Sequence, residues 1–475
     1  MAGERATSSL FFLNFRSATV EKDEAFNASH VLCTNVSLIK NMYTRNIFIF
    51  SIVLLLASSA QAGPKDFEVD VISYHLTIEP NIDKKYIRGT VVIKFQIESD
   101  INSVVFKSGN LRIDKVTGDN VVSFENRDGS LIIKLSEREK KENELTIDYH
   151  GNPTNGLLFD SDRGQTFTIY STSQWMICND SPGDKALFHL SITIPTDKDC
   201  IASGALVSQA RKNNKIQYSY RQNYESPTYT YGFAIGNFNQ AEEKSGEVLL
   251  RYYSQDYTSG QLMTIFKETP TMISFFEEKS GVKYDQSMYS QILIGDHYQE
   301  MSGYSTLKDT YGKLVLKDST ETNLISHELA HQWWGNRVTC KNWNHFWLNE
   351  AMATYMSAAY NEYRFGEKKY QSDIGSYYEV YEAIKNRGND KPLVFANWSN
   401  PSSDDRNLVY FKGAYVLYLL REKLGDEVFW EAIKFYTAKY FGESVETVDF
   451  QKAFEKSSGV QLDDFFDEWI YKNER

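Results

Sequence analysis

The sequence has few cysteines and a net negative charge, which argue against a cysteine-bound zinc site and against nucleic-acid binding. Four cysteines occur in 475 residues and none has a CxxC spacing, so a cysteine-bound zinc site is not predicted. The formal net charge is -12 at pH 7. Because phosphate binding needs a basic surface, we expect no nucleic-acid partner. The chain also lacks internal repeats, low-complexity tracts and long linkers.

Long apolar runs are missing too, apart from one near the N-terminus. Residues 42–62 combine Arg45, an apolar stretch at Ile47–Ala57 and the small-x-small tripeptide Ala60–Ala62, which is the order of a secretory signal peptide. The stretch is shorter than the roughly 20 residues of a membrane span, so we expect no stable membrane insertion. We predict a secreted or periplasmic protein that starts at Met42 and is cleaved after the tripeptide. The alternative is an uncleaved signal anchor, which would hold the protein at the membrane.

Cleavage there would leave three cysteines, Cys178, Cys200 and Cys340. Export permits a disulfide, and Cys178 and Cys200 are the nearer pair in the chain. Since three is an odd number, at least one thiol stays free or pairs elsewhere.

Hydrophobic periodicity divides the rest of the chain into two parts. From Phe67 to about Gln240 apolar and polar residues alternate, which is typical of a mostly antiparallel β domain. From about Thr264 the spacing becomes helical. We therefore predict an α+β chain, with an upstream extension and signal peptide at 1–62, a β domain at 63–242 and a mainly helical domain at 243–475.

The strongest motif is His327-Glu328-Leu329-Ala330-His331. On a helix, residues four apart lie on one face, so both imidazoles can reach a single ion. Zinc binds imidazole nitrogen, and a catalytic zinc site keeps one position open for water. Glu328 lies about 100° around the helix from His327, which suits a general base for the attacking water. A chance match is the competing interpretation, and it is rare in a chain with only eight histidines.

A catalytic zinc needs a third protein ligand, and Glu350 is the candidate. It follows His331 after eighteen intervening residues and opens a stretch with helical spacing. A helix antiparallel to the first would aim this carboxylate back at the ion. We predict one Zn2+ per chain, held by His327, His331 and Glu350. Asn336 and Asn349 are candidates to order these ligands.

Residues 327–336 (HELAHQWWGN) and 347–355 (WLNEAMATY) resemble the alanyl-aminopeptidase family of gluzincin zinc metallopeptidases, peptidase family M1. Tyr410–Ala414 is similar to the family's Y-x-K-G-A segment. In that family the tyrosine hydrogen-bonds the oxyanion of the tetrahedral intermediate. The resemblance therefore implies that Tyr410 is catalytic, as a phenol donor that stabilises developing negative charge.

The likeness extends beyond the site, to Cys178–Phe188 and Phe233–Phe238, and covers the chain from about Phe67 to its end. It implies an N-terminal antiparallel β saddle domain followed by a thermolysin-like, mainly helical catalytic domain. It also implies a short form of the family that lacks the later C-terminal helical-repeat domain.

The resemblance departs at the segment that binds the substrate's amino group. The family carries G-A-M-E-N on an edge strand, and its Glu binds the free α-amino group. Aligning Met301 with the motif Met places Ser302 at the Glu and Gly303 at the Asn. A serine cannot supply the charge that holds an ammonium, but Glu300 would share a strand face with Ser302 and replace it. We therefore predict that Glu300 and Met301 bind substrate. The alternative is an ordinary solvated Glu300.

The predicted function is zinc-dependent hydrolysis of peptide bonds, by an aminopeptidase that releases N-terminal residues from peptides. Glu328 would move the proton of the attacking water to the leaving amine. The altered amine-binding motif leaves two alternatives open. One is a zinc endopeptidase, and the other is a catalytically silent peptide-binding protein of the same fold.

Overall fold

The computed structural model describes residues 69–97, 101–136, 142–396, 398 and 401–472. They fall within one unit, Asp66–Arg475. The predicted signal peptide at 42–62 lies outside the described residues and stays a prediction. No helix in the described part of the chain is long and apolar enough to cross a membrane.

Strands dominate the first part of the described chain. In chain order they are β1 (Val69–Asn81), β2 (Tyr86–Ile97), β3 (Ser103–Lys107), β4 (Arg112–Thr117), β5 (Val121–Arg127), β6 (Ser130–Leu135), β7 (Glu142–Gly151), β8 (Leu157–Asp160), β9 (Gln165–Thr168), β10 (Lys185–Pro195), β11 (Asp199–Ala202), β12 (Ala205–Lys212), β13 (Lys215–Arg221), β14 (Ser226–Pro227), β15 (Phe233–Gly236), β16 (Asn239–Ser245), β17 (Val248–Ser254), β18 (Met288–Leu293), β19 (Tyr304–Leu307), β20 (Thr339–Cys340) and β21 (Ser444–Val445).

The largest sheet among the described residues follows the order β12-β13-β10-β1-β2-β7-β4. Only β1 and β10 in this row pair in parallel. Leu76 and Ile78 of β1 are buried while His75 and Thr77 face outward, because successive side chains of a strand point to opposite faces. Two smaller sheets, β3-β6-β5 and β11-β15-β9-β8, complete this mostly antiparallel part. The predicted alternation is therefore confirmed.

Helices dominate the second part, together with the sheet β16-β17-β18-β19. They are α1 (Ser259–Ile265), α2 (Thr269–Ser280), α3 (Tyr311–Lys317), α4 (Asn323–Ala330), α5 (Trp347–Phe365), α6 (Glu367–Asn386), α7 (Ser403–Asn407), α8 (Gly413–Leu424), α9 (Asp426–Tyr440), α10 (Thr447–Ser458) and α11 (Asp463–Phe466). The predicted α+β class is confirmed. The boundary predicted after residue 242 stays a prediction, and β16, which spans it, pairs with β17.

Two antiparallel helices, α4 and α5, position the candidate site. The hydroxyls of Ser326 and Ser357 lie 2.6 Å apart, and the Thr322 hydroxyl donates to Asn361 at 2.7 Å. These two pairs run in opposite chain directions, so the end of α4 lies beside the start of α5. The side chains from Trp347 to Asn361 are buried, so α5 passes through the interior of the domain.

A buried lysine joins the β part to the helical part. Lys185, at the start of β10, donates from Nζ to the carbonyl oxygens of Arg337 at 2.7 Å, Gly442 at 3.1 Å and Glu443 at 2.8 Å. All three protons of the ammonium therefore have acceptors in the helical part. Arg337 lies just beyond the end of α4, so this contact holds the segment that follows the His-Glu motif.

The three cysteines of the described chain are buried and free. The disulfide that export would permit between Cys178 and Cys200 is therefore not formed. Burial raises the pKa of the Cys178 thiol well above its usual value, as expected of a packed, unreactive cysteine.

Candidate metal centre and active site

The His-Glu motif places two imidazoles on one side of α4. His327 lies in the last turn of the helix and His331 follows its end, and their Nε2 atoms are 3.0 Å apart. Glu350, in the first turn of α5, lies with Oε2 3.4 Å from each Nε2. Ligands on a tetrahedral zinc lie roughly 3.3 Å from one another. The three side chains that the sequence predicted as ligands therefore fit one zinc ion.

Hydrogen bonds behind the imidazoles set their orientation. Nδ1 of His331 lies 3.0 Å from the carbonyl oxygen of Trp334, and Nδ1 of His327 lies 3.4 Å from the Thr354 hydroxyl. A proton on Nδ1 leaves the Nε2 lone pair for a metal. The chain can turn so close to the His331 ring only at Gly335, which has φ +132°, because a Cβ there would lie 2.8 Å from Nδ1.

The third ligand is buried and ionised. Burial alone would raise the pKa of the Glu350 carboxyl, but the imidazoles of His331 and His327 hold it at about 2. Its Oε2 atom is buried without a hydrogen-bond partner. A buried anionic oxygen is costly unless a cation neutralises it, so this atom fits a metal ligand.

Glu328 faces the same space but lies outside the ligand triad. One oxygen of Glu328 lies within 4.8 Å of ligand atoms of Glu300 and His331, and Oε2 has no hydrogen-bond partner. Burial and then the Glu300 carboxylate raise the pKa of Glu328 well above its usual value. A neighbouring dication would oppose that rise. A carboxylate with a free oxygen beside the metal position suits proton transfer, so its role as base stays a supported prediction.

Tyr410 reaches the site from a π-helical turn, Leu408–Lys412, between α7 and α8. Its ring stacks on His327 with centroids 5.8 Å apart and planes 20° apart. Burial and then the Glu350 carboxylate raise its pKa well above the usual range. The phenol therefore stays protonated and can donate a hydrogen bond. Turns of this kind often occur at functional sites.

The lysine of the same motif, to which the sequence assigned no role, holds that turn in place. Lys412 is buried and donates from Nζ to Asp390 Oδ1 at 2.7 Å and to the Lys391 carbonyl at 2.9 Å. Gly413 lets the turn approach α5, because a Cβ there would lie 2.5 Å from that of Ala351. The lysine and the glycine of the Y-x-K-G-A motif thus have structural roles that position its tyrosine.

The segment with the altered amine-binding motif is a turn, which separates its side chains. Glu300 faces the metal ligands, and its Oε2 accepts from Gln299 Nε2 at 2.7 Å. Ser302 is buried elsewhere, and its hydroxyl accepts from Gln222 Nε2 at 2.7 Å. The premise that Glu300 and Ser302 share a strand face is therefore wrong, because β19 begins only at Tyr304. Glu300 nevertheless lies at the site.

The predicted role of Met301 does not agree with its position in the structure. Its exposed fraction is 0%, and it packs in a cluster with Phe167, Tyr253 and Ile292. No surface of this residue is open to a ligand, so the structure contradicts the prediction that Met301 binds substrate. The turn directs Glu300 toward the metal ligands and the next side chain into the core.

The two asparagines act on backbone segments around the ligands. Asn336 donates from Nδ2 to the Glu300 carbonyl at 3.2 Å. Asn349 accepts from the Cys340 amide at 2.9 Å and donates to the Tyr229 hydroxyl at 3.1 Å. They therefore order the site through the chain around it rather than through the ligand side chains.

Comparison with known proteins agrees with this geometry. Residues 71–230 match the Peptidase M1 N-terminal domain, and residues 265–469 match the Peptidase family M1 domain. The chain belongs to peptidase family M1. His327, His331 and Glu350 form a group that can hold the zinc ion of this family.

Two proteins named as aminopeptidases resemble the chain at low identity. Probable aminopeptidase 2 of Sulfurisphaera tokodaii is 25% identical over 406 residues, which cover 80% of this chain and 51% of that protein. Aminopeptidase M1 of Arabidopsis thaliana is 24% identical over 445 residues, covering 83% of this chain and 49% of that protein. The chain thus spans about half the length of these relatives.

Solved structures of the family share the fold. The M1 zinc metallopeptidase from Deinococcus radiodurans superposes with a TM-score of 0.74 at 22% identity, covering 86% of this chain and 94% of that one. A mutant of that enzyme was solved with a Tyr-Ser-Ala substrate. The order of a β-rich N-terminal domain and a helical catalytic domain confirms the predicted fold.

Proposed function

We propose that this protein is a zinc aminopeptidase that removes N-terminal residues from peptides. The observation that carries the proposal is the position of Glu300, a carboxylate within 4.8 Å of ligand atoms of Glu328 and His331. A negative charge at that distance from the reacting groups suits the α-amino group of a substrate whose first peptide bond lies at the metal. The names of the curated relatives support the same activity.

The chain's own side chains supply the proton steps. Zinc held by His327, His331 and Glu350 would polarise the scissile carbonyl and lower the pKa of a water. Glu328 accepts one proton as the water oxygen attacks the carbonyl carbon, and it returns that proton to the nitrogen as the C–N bond breaks. The Tyr410 hydroxyl donates to the oxygen that becomes negative.

The amine anchor is tested with one peptide offered with a free and with an acetylated N-terminus, the products being read by mass spectrometry. We expect stepwise release of single residues from the free peptide and little cleavage of the acetylated one. Internal cleavage of both peptides would instead identify an endopeptidase. Binding of the free peptide without any product would identify a silent peptide-binding protein.

A matched pair of variants locates the anchor. Glu300→Gln keeps the size of the side chain and removes its charge, so KM for the free peptide should rise about tenfold or more. Glu225→Gln, which removes a charge outside the site, should leave KM unchanged. An unaltered KM in the Glu300 variant would remove this residue from amine binding.

We further propose export to the periplasm or the medium, which rests on the pattern of residues 42–62 alone. N-terminal sequencing of protein expressed from the full gene should give a chain that begins at Gly63. A chain that retains residues 42–62 and sediments with membranes would support the signal-anchor alternative.

A further inference from the structure

Residues 300–303, here termed the anchor turn, are attached to the segment that follows α4 mainly through the side chain of Gln332. Gln332 follows the ligand His331 directly and is buried, with 3% of its surface exposed. Its Nε2 donates to the Met301 carbonyl at 3.0 Å, and its Oε1 accepts from the Gly303 amide at 3.0 Å. The carboxamide therefore bridges two backbone groups of the turn, with both its nitrogen and its oxygen hydrogen-bonded.

Few side chains can replace this bridge. A carboxamide carries a donor and an acceptor in one planar group. A glutamate would keep the acceptor for Gly303 and lose the donor for Met301, and a methionine would lose both. The methionine would leave the buried Gly303 amide without its acceptor, and the glutamate would set a carboxylate oxygen against the Met301 carbonyl, so the turn can relieve either change only by moving. The Met301 carbonyl keeps its bond from the Tyr304 amide at 3.2 Å in both variants.

The opposite face of the anchor turn is bound to the N-terminal domain. The Ser302 amide donates to the Thr230 carbonyl at 2.9 Å, and its hydroxyl accepts from Gln222 at 2.7 Å. These bonds fix the turn to the β part but contain no link to the metal ligands. The spacing between the anchor turn and the ligands is therefore set from the other side, by Gln332 with help from Asn336.

We propose that Gln332 is a positioning residue that fixes the distance between the amine anchor Glu300 and the metal ligands. It touches neither substrate nor metal, and it acts through the backbone of the anchor turn. Since Gln332 is the residue directly after the ligand His331, the anchor turn cannot shift relative to the metal ligands while the bridge is intact. The distance from the bound amine to the cleaved bond, and thus release of one residue at a time, depends on it. This inference rests on the proposed aminopeptidase function.

The experiment compares Gln332→Met and Gln332→Glu with the wild type and with Gln291→Met. Gln291, on β18, is a buried glutamine whose side-chain oxygen accepts from Thr269 at 2.7 Å and not from the anchor turn, so it controls for the loss of a buried amide. The measurements are kcat and KM for the free and acetylated peptides, zinc content, and crystal structures of Gln332→Met and the wild type.

We expect Gln332→Met to keep its zinc and to lose about 100-fold in kcat/KM on the free peptide, since displacements of about 1 Å have effects of that size. Most of the loss should be in KM, and the preference for the free over the acetylated peptide should collapse. Gln332→Glu, which retains one bond, should lie between. Gln291→Met should lose stability while keeping the preference.

Two results separate the failure of this inference from that of the function. If the wild type cleaves free and acetylated peptides equally, the aminopeptidase proposal is wrong. In that case the bridge is still tested by comparing the position of residues 300–303 in the two crystal structures. If that turn superposes on the wild type in Gln332→Met, or if the substrate preference is kept, Gln332 does not position the anchor.

Discussion

Two pairs of imidazoles lie at similar separations in this molecule and differ in what surrounds them. The ring centroids of His327 and His331 are 4.6 Å apart, and those of His75 and His189 are 4.2 Å apart. The first pair is buried against the carboxylate of Glu350. The second pair lies on the outer face of the large sheet, as facing residues of β1 and β10.

The charges around each pair act in opposite directions. Burial lowers the pKa of His331, but the carboxylates of Glu350 and Glu300 raise it to about 10, so this pocket favours positive charge. Burial lowers the pKa of His75, and Lys94 lowers it further against the opposing effect of Glu144. Burial, His75 and Arg221 lower the pKa of its partner His189. The spacing of two imidazoles therefore does not by itself make a cation site. The neighbouring carboxylates determine whether the pair favours positive charge.

Removal of the carboxylate ligand should make the buried pair resemble the outer one. Glu350→Gln should lower zinc affinity by more than about 100-fold, and turnover should be lost with the metal. Metal content after dialysis, followed by activity with added zinc, measures both. Glu362→Gln, on the same helix but paired with Arg421, is the control. Full zinc content in the Glu350 variant would contradict the assigned triad.

Removal of the charge of Glu328, the carboxylate beside the metal ligands, should leave the metal bound and stop the reaction. Glu328→Gln should bind zinc normally and lose about 1,000-fold in kcat, because the proton of the water has no acceptor. Glu321→Gln, which neutralises a carboxyl group just before α4, should keep its activity. A Glu328 variant with wild-type turnover would show that another group is the base.

Removal of the hydroxyl above His327 should have a smaller effect. Tyr410→Phe should lose about 100-fold in kcat with little change in KM or zinc content, since the donor acts on charge that develops during the reaction. Steady-state kinetics beside Tyr418→Phe, on α8, measure the difference. An equal loss in both variants would indicate a packing effect.

The outer pair should show its character in stability, with the smallest effect. Because the folded state lowers the pKa values of His75 and His189, the unfolded chain takes up protons first as the pH falls below about 6.5. Their stabilisation is thus present above that pH and is lost as the pH falls. Solvent screening limits the change to about 1 kcal/mol at most. Urea unfolding at pH 7.5 and 5.5 gives the free energy of unfolding, which should change less with pH in the double variant His75→Gln/His189→Gln than in the wild type. An equal change in both proteins would refute the assignment.

The metal ligands could be predicted because their arrangement depends mainly on local geometry. The four-residue spacing of His327 and His331 follows from the helical repeat, and only the antiparallel return that brings Glu350 requires the fold. The anchor turn could not be predicted in the same way. Its course depends on bonds to distant residues, among them Gln332 and Thr230, which no periodicity in the sequence reveals.

The errors follow the same division. The sequence predicts a strand face at Glu300 and Ser302 and a substrate contact at Met301, because a short segment has no pattern that distinguishes a strand from a turn. The free state of the buried cysteines likewise could not be predicted from their spacing in the sequence. Fold class and metal site thus follow from repeated spacing, whereas the amine anchor requires coordinates.

The ammonium of Lys185 has a consequence for any attempt to divide this molecule. It lies among three main-chain oxygens that belong to the part of the chain with the metal ligands. A shortened protein that starts after the β strands would leave those oxygens facing each other without their hydrogen-bond donor, and the loop behind the second imidazole would lose its support. The peptidase half is therefore expected to be a poor independent folding unit, and the β-rich half serves as a structural part of the catalytic apparatus.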